Sequence, residues 1–215
     1  CGSTQPDRMT VTVKAVGADL GIAFDGDGDR VLMVDHEGRL VDGDQLLFLL
    51  AKARLGSGAL TGPVVGTLMT NLGLERALGQ LGIDFRRANV GDRYVMAMLN
   101  ETGGILGGET SGHLLCLDKT TTGDGLISAL QVLTVMVETG CSLAELVEGM
   151  PRLPQTLINV RTESFIDLAG SSDIQSAIRS AGGHPDQRRR VPLRASGTEP
   201  VRRRTRWGEA EGDVE

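Results

Sequence analysis

The sequence predicts an α/β protein with mixed or parallel sheets and packed helices, followed by a truncated α+β part. Three observations predict this class. The 215 residues are 40% hydrophobic, which is enough apolar material for a sizeable core. Apolar runs of strand length alternate with helical stripes through the middle of the chain. Such alternation favours parallel pairing with right-handed crossovers.

The first elements surround an unusual acidic loop. Met9 to Ala18 has the pattern of a helix end, and Leu20–Phe24 and Val31–Val34 are short apolar runs typical of strands. Between the two runs lies a cluster of Asp and Gly. An Asp cap and a broad apolar face then predict a helix from Asp44 to Leu55. We therefore expect strand, functional loop, strand and helix in this order.

The middle of the chain alternates between strand and helix patterns. Strands are predicted at Val64–Leu68, Ile83–Arg86 and Ile105–Leu106. Helices are predicted from the stripes Leu74, Ala77, Leu78 and Leu81; Val95, Met98 and Leu99; and Leu126, Leu130, Leu133 and Val137. A capping box at Ser142–Glu145 begins one more helix.

The C-terminal third is patterned more weakly. Pro151–Pro154 is a linker signal, and strand, helix and strand patterns follow at Thr156–Val160, at Ile174 to Ile178 and at Val191–Leu193. Three parts are expected from these boundaries: residues 1–56, 57–150 and 155–215.

Composition excludes several classes of protein. The net charge is −6, with −8 in residues 1–180 and +2 in residues 181–215, so no nucleic-acid partner is expected. The longest apolar run, Leu46–Ala51, is too short to span a membrane. Three widely spaced cysteines form no disulfide framework, and the N-terminus lacks a secretion signal. A cytoplasmic location is expected.

The most specific chemical feature is the acidic loop Phe24-Asp-Gly-Asp-Gly-Asp-Arg30. Asp25, Asp27 and Asp29 alternate with glycines that let the backbone curl, so their oxygens can converge on a divalent cation. Mg²⁺ is the natural choice if a phosphate completes its coordination. Arg30 follows directly and can orient that phosphate with paired donors.

Two other chemistries suggest themselves for the acidic loop. An EF-hand would need Gly and Glu where the chain has Arg30 and His36, which excludes that interpretation. A haloacid-dehalogenase-like phosphatase also begins with an apolar strand followed by Asp-x-Asp-Gly, with the first Asp as nucleophile. Asp25 would be that nucleophile, and this remains an alternative.

Two further polar loops carry binding chemistry. Glu109, Ser111 and His113 lie in GGETSGH, where a carboxylate, a hydroxyl and an imidazole between glycines suit the hydroxyls of a sugar. The stretch RASGTEPVRR combines arginines, hydroxyls and a Gly-freed backbone amide, which suit a phosphate dianion. An ordinary polar turn is the simpler interpretation of each loop taken alone.

Together the three loops resemble the α-D-phosphohexomutase family. The matching stretches are GADLGIAFDGDGDRVLMVDHEGRLVDGDQLL, GPVVGTLMTNLGLE, NVGDRYVMAML, LGGETSGHLL, TTGDGLISALQVL and LRASGTEP, in the family's order. The resemblance implies a Mg²⁺-dependent, four-domain enzyme. It would interconvert the 6-phosphate and 1-phosphate of a hexosamine, here glucosamine, for cell-wall precursors that pass through UDP-N-acetylglucosamine.

The resemblance also implies roles for particular residues. Asp25, Asp27 and Asp29 would bind Mg²⁺, and Arg30 would stabilise the phosphoryl group in transfer. Glu109 and Ser111, with His113 nearby, would hold sugar hydroxyls. The phosphate that does not react would be held by Arg194, Ser196, Gly197, Thr198 and Arg203.

The sequence departs from the family in two places. The family's nucleophile is a phosphoserine in a Ser-His-Asn type loop of its first domain, and no such stretch occurs in these residues. After Pro200 the chain is strongly basic where the family has an apolar strand and a closing helix. We therefore expect the end of domain II, domain III and an incomplete domain IV, starting at Cys1 in place of Met. Such a fragment would be inactive unless the missing domain or a complementing chain is supplied.

Other functions also fit the sequence. The phosphomannomutase and phosphoglucomutase branches use closely similar sugar loops, so they are alternatives within the family. A non-catalytic fragment that only binds sugar phosphate is another.

Overall fold

In the computed structural model, two compact units, residues 1–151 and 152–215, make up the chain. The structure describes residues 2–3, 5–161, 170–182, 193–195 and 201–207. The predicted α/β class is confirmed. Within these ranges no helix is long and apolar enough to traverse a lipid bilayer.

The first unit contains two sheets. Its strands are β1 (Leu20–Phe24), β2 (Val31–Asp35), β3 (Leu40–Val41), β4 (Val64–Thr67), β5 (Phe85–Ala88), β6 (Leu106–Gly108) and β7 (Leu114–Cys116). Its helices are α1 (Asp7–Val16), α2 (Gly43–Gly56), α3 (Leu72–Gln80), α4 (Asp92–Thr102), α5 (Gly125–Thr139) and α6 (Leu143–Leu146). The sheets have the strand orders β1-β2-β3 and β5-β4-β6-β7.

The second sheet has the predicted parallel centre. β4 pairs in parallel with both β5 and β6, because helical crossovers return the chain to the same edge. β7 joins antiparallel to β6 as a hairpin, so the sheet is mixed. β5 begins at Phe85, two residues later than predicted. Ile83 is buried ahead of the strand, where apolar character alone had suggested strand.

α2 is the central helix of the first unit. Asp42 and Gln45 cap it reciprocally, as Ser142 and Glu145 cap α6. Nearly all of its apolar side chains are buried in one core shared by both sheets. The helix therefore joins the hairpin of β1 and β2 to the parallel sheet.

α5 buries a different face from the one its large apolar residues predict. Its buried residues are Gly125, Ser128, Ala129 and Val132. Leu126, Leu130 and Val137, members of the predicted stripe, are 58%, 50% and 83% exposed. Small side chains let the helix approach its neighbours closely, so packing favours the small face.

The second unit contains β8 (Gln155–Arg161), α7 (Ser172–Gly182), β9 (Leu193–Ala195) and β10 (Val201–Trp207). β10 pairs antiparallel with both β8 and β9 in a three-stranded sheet. The basic stretch after Pro200 is thus a strand over residues 201–207.

Candidate active site

The acidic loop is the turn between β1 and β2. These strands pair antiparallel, with Phe24 opposite Val31, so residues 25–30 close the hairpin. The Oδ1 atom of Asp25 accepts hydrogen bonds from the backbone N–H groups of Gly28 at 3.0 Å and Arg30 at 3.3 Å. Gly28 has a φ of +74°, which glycine adopts without strain. Asp25 thereby fixes the curl of the loop.

The charge of Arg30 complements the acidic loop. Its Nε atom lies 3.7 Å from Oδ2 of Asp25, and its side chain is about half exposed. Desolvation opposes ionisation of Asp25, but the Arg30 N–H and guanidinium help to hold the net pKa of this carboxyl below its ordinary value. Asp25 is therefore a carboxylate at neutral pH, with the guanidinium beside it and open to solvent.

The sugar loop is the turn between β6 and β7. Gly108 pairs with Leu114 across the hairpin, so residues 109–113 form its tip. The Glu109 N–H donates to the His113 carbonyl at 3.0 Å, and the Gly112 N–H donates to the Glu109 carbonyl at 2.9 Å. Ser111 is exposed at the tip. The loop is thus a closed turn that presents a hydroxyl to solvent.

The carboxylate of Glu109 is held by the start of α4. Its Oε1 atom accepts a hydrogen bond from the backbone N–H of Gly91 at 3.0 Å. Gly91 is the N-cap of α4, where unpaired N–H groups favour an anion. This contact places a sugar-loop carboxylate beside the partly exposed start of α4.

The acidic loop and the sugar loop contact each other directly. Nδ1 of His113 lies 2.9 Å from Oδ2 of Asp29, although the residues are 84 positions apart in sequence. Arg30 and His113 form an antiparallel bridge, and the Val31 N–H donates to the Gly112 carbonyl at 3.0 Å. The structure therefore unites Asp25, Asp29 and Arg30 with Glu109 and His113 in one region.

Glycines make this junction possible. Gly112 has a φ of +93°, and a Cβ there would collide with the backbone of Val31. A Cβ at Gly43, the first residue of α2, would collide with the Glu109 carbonyl. The Gly125 N–H, at the start of α5, donates to the Gly28 carbonyl at 2.9 Å. The start of α2 thus packs against the sugar loop, and the start of α5 is hydrogen-bonded to the acidic loop.

The carboxylates fit a hard cation in chemistry. Among the residues that the structure describes, Oδ1 of Asp29 is buried without a hydrogen-bond partner, which is costly unless a ligand supplies one. Asp27 is exposed in the same loop. Across the described ranges no three His, Cys, Asp or Glu side chains are gathered as a metal site. The carboxyl groups of Asp25 and Asp29 already interact with each other, so a third ligand such as Asp27 would have to join this pair to complete a cation site.

The predicted phosphate loop lies mostly outside the described residues. Ser196, Gly197 and Thr198 fall there, and Arg194 and Arg203 lie in β9 and β10. These two arginines are Cα partners in the antiparallel register of the two strands. The backbone therefore brings them together across nine positions of sequence.

Sequence reasoning missed the residues that support the loops. Gly43, Asp44 and Gly91 hold the sugar loop from helix starts, and Asp44 is the one with a side chain in contact. The available signal was an acidic residue two positions after the Asp42 cap, at a position the helix buries. Only the tertiary contacts show what that residue faces.

Comparison with known proteins identifies the class to which this fold and these loops belong. Residues 42–153 match the family Phosphoglucomutase/phosphomannomutase, alpha/beta/alpha domain III. The chain belongs to this family of phosphohexomutases.

Within the family, several similar curated relatives are named phosphoglucosamine mutase. One from Hahella chejuensis is 55% identical over 213 residues, which cover 99% of this chain and 48% of the relative. One from Alkalilimnicola ehrlichii is 56% identical over 203 residues, which cover 94% of this chain and 45% of the relative. The chain spans about half the length of the curated relatives it matches.

Solved structures share the fold. N-acetylphosphoglucosamine mutase from Aspergillus fumigatus, in complex with GlcNAc-6P and magnesium, matches with a TM-score of 0.80 at 19% identity, over 99% of this chain and 50% of its own. A phosphoglucomutase/phosphomannomutase family protein from Burkholderia thailandensis matches with a TM-score of 0.78 at 22% identity. The match covers 99% of this chain and 48% of that protein.

Proposed function

We propose that this chain supplies the metal, sugar and phosphate loops of a phosphoglucosamine mutase. The reaction would interconvert glucosamine 6-phosphate and glucosamine 1-phosphate, with Mg²⁺ and with a phosphoserine from outside these residues. The observation that carries the proposal is the contact between Asp29 and His113, because it joins the acidic loop to the sugar loop. Curated relatives at 55% and 56% identity that bear this name support it.

Asp25, Asp27 and Asp29 would hold the cation. When bound, Mg²⁺ would neutralise charge on the oxygens of the phosphoryl group. Asp29 is already oriented to bind a cation. His113 holds its Oδ2 atom, and its buried Oδ1 atom has no hydrogen-bond partner among the described residues. The role of His113 would then include orienting a metal ligand, beside its expected place near the sugar.

The remaining residues would bind and orient the sugar phosphate. Arg30 would pair with a phosphoryl oxygen, since its guanidinium is exposed next to the carboxylates. Glu109 and Ser111 would accept and donate hydrogen bonds to sugar hydroxyls, with Glu109 held in place by Gly91.

The distal phosphate would be held by the loop Arg194, Ser196, Gly197, Thr198 and Arg203. The support is the register that pairs Arg194 with Arg203, which brings two cationic residues to one place in the second unit's sheet. Two guanidinium groups suit a phosphate dianion.

The test is complementation. The chain is mixed with the separately purified N-terminal half of the Hahella chejuensis relative, and formation of glucosamine 1-phosphate from glucosamine 6-phosphate is measured with Mg²⁺. We expect turnover from the mixture only, lost in Asp29→Ala and kept in Asp84→Ala, an exposed carboxylate outside the site. Glucose and mannose phosphates run in parallel decide the sugar branch.

Other outcomes would contradict the proposal. Release of inorganic phosphate by this chain alone, lost in Asp25→Asn, would establish the phosphatase. Binding of sugar phosphate without turnover in any mixture would establish a non-catalytic fragment.

A further inference from the structure

A completely buried carboxylate lies behind the sugar loop. Asp44, in the first turn of α2, is 0% exposed, and none of the proposed binding roles uses it. Carboxylates are rarely buried without strong partners, because desolvation disfavours their charge. Its partners therefore indicate what it does.

Asp44 joins two loops that are distant in sequence. Its Oδ2 atom accepts a hydrogen bond from the Thr110 hydroxyl at 2.8 Å and another from the Asn71 backbone N–H at 2.8 Å. Thr110 is the residue between Glu109 and Ser111. In addition, the Gly43 N–H donates to the Thr110 carbonyl at 3.0 Å. The first turn of α2 thus holds Thr110 by both its main chain and its side chain.

The segment that carries Asn71, the second hydrogen-bond partner of Asp44, is anchored to the parallel sheet by Arg87. Arg87, in β5, donates from Nη1 to the carbonyls of Thr67 and Thr70, both at 2.8 Å. Its Nη2 donates to Oε2 of Glu75 at 2.7 Å, and its side chain is 8% exposed. The segment that carries the Asn71 N–H is therefore anchored, and the Asp44 carboxylate connects it to the sugar loop.

We propose that Asp44 is the positioning residue that fixes Thr110, and through it Glu109 and Ser111, in the geometry that binds a sugar phosphate. The ligand in this statement rests on the proposed function, whereas the placement of the loop does not. The Thr110 hydroxyl is directed to Asp44 and so does not contact the ligand. Its neighbours Glu109 and Ser111 are the residues that face the ligand.

The electrostatic environment of Asp44 links its titration to the contact with Thr110. Burial and the neighbouring charge of Asp42 raise the pKa of Asp44 to about 7, while the Asn71 N–H, the Thr110 hydroxyl and Arg87 oppose that rise. Each hydrogen bond to the charged form strengthens as the carboxylate ionises. Removing the Thr110 hydroxyl must therefore raise the pKa of Asp44 further.

The test compares Thr110→Val, which removes the hydroxyl, with Thr110→Ser, which keeps it. Thr134→Val is the matched control, because the Thr134 hydroxyl donates to the Leu130 carbonyl in its own exposed helix turn. Three quantities are measured on the whole chain: the carboxyl NMR titration of Asp44, amide hydrogen exchange at residues 108–113, and the dissociation constant for glucosamine 6-phosphate.

We expect Thr110→Val to raise the pKa of Asp44, to speed exchange of the loop amides by about tenfold and to weaken sugar phosphate binding by about tenfold, which is the upper end of what one hydrogen bond contributes. Thr110→Ser and Thr134→Val should match the parent. Asp44→Asn serves as a second variant for exchange and binding if it folds.

An unchanged pKa and unchanged loop exchange in Thr110→Val would overturn the proposal. A loosened loop with undiminished affinity would overturn the positioning role. If the parent chain binds no sugar phosphate, the proposed function fails, while the pKa and the exchange still decide whether Asp44 fixes the loop.

Discussion

The buried carboxylate of Asp44 makes the stability of the fold depend on pH. Its pKa is raised from the ordinary value of 3.8 to about 7, chiefly by burial. Between these two values only the unfolded chain ionises, so unfolding releases a proton. The stabilising contribution of the neutral form is therefore complete below the lower value and lost as the pH rises through about 7.

The magnitude follows from the size of the shift. A difference of about three pKa units corresponds to about 4 kcal/mol of unfolding free energy in total. About 3 kcal/mol of it is lost between about pH 4.5 and about pH 8.5. Asp44→Asn has no such proton, so this loss should vanish in the variant.

Urea unfolding of both proteins across this pH range measures the effect. The quantity of interest is the difference in unfolding free energy between the parent and Asp44→Asn, because the other titrating groups largely cancel in it. We expect this difference to shift by about 3 kcal/mol in favour of the variant as the pH rises. A difference that stays constant within about 1 kcal/mol would show that Asp44 is ionised in the fold at ordinary pH, and would refute the reasoning.

Two further predictions concern the junction of the loops. Gly112→Ala should lower the unfolding free energy by about 3 kcal/mol, and the control Gly140→Ala by about 1 kcal/mol. Both glycines have a positive φ, but only at Gly112 would the added Cβ collide with backbone, that of Val31. Equal losses of unfolding free energy, measured by chemical denaturation, would contradict this. His113→Ala should weaken Mg²⁺ binding about tenfold, because Asp29 loses the imidazole that orients it, and calorimetric affinities equal to those of the parent would exclude that role.

Much of the fold could be predicted from the sequence because local signals agreed with tertiary packing. Ser142 begins α6 as predicted, the helix predicted from Asp44 begins one residue earlier with Asp42 as its cap, and the alternation around β4 gives parallel strands. α5 shows where such signals fail. Two faces of this helix repeat at helical spacing, one with large apolar residues and one with small ones, and periodicity alone favours the large face. Packing against α2, β1, β2 and β7 instead buries the face that carries Ser128 and Ala129.

The residue types of the candidate site could be predicted, but their contacts could not. Asp29 and His113 belong to motifs that are recognisable in the sequence, whereas their pairing depends on how two hairpins meet. Asp44 gave almost no signal, because an acidic residue in a first helical turn is ordinary. Its meaning depends on Thr110, 66 positions away.

Linked binding of Mg²⁺ and glucosamine 6-phosphate tests most directly whether the acidic loop and the sugar loop form one site. Calorimetric titration of the chain with the sugar phosphate is carried out with Mg²⁺ and with a chelator, and repeated with Asp29→Asn and with the exposed control Asp84→Asn. We expect Mg²⁺ to tighten binding about tenfold in the parent and in the control, and to have no effect in Asp29→Asn. Equal affinity with and without Mg²⁺ in the parent, or an undiminished effect of Mg²⁺ in Asp29→Asn, would contradict a single shared site.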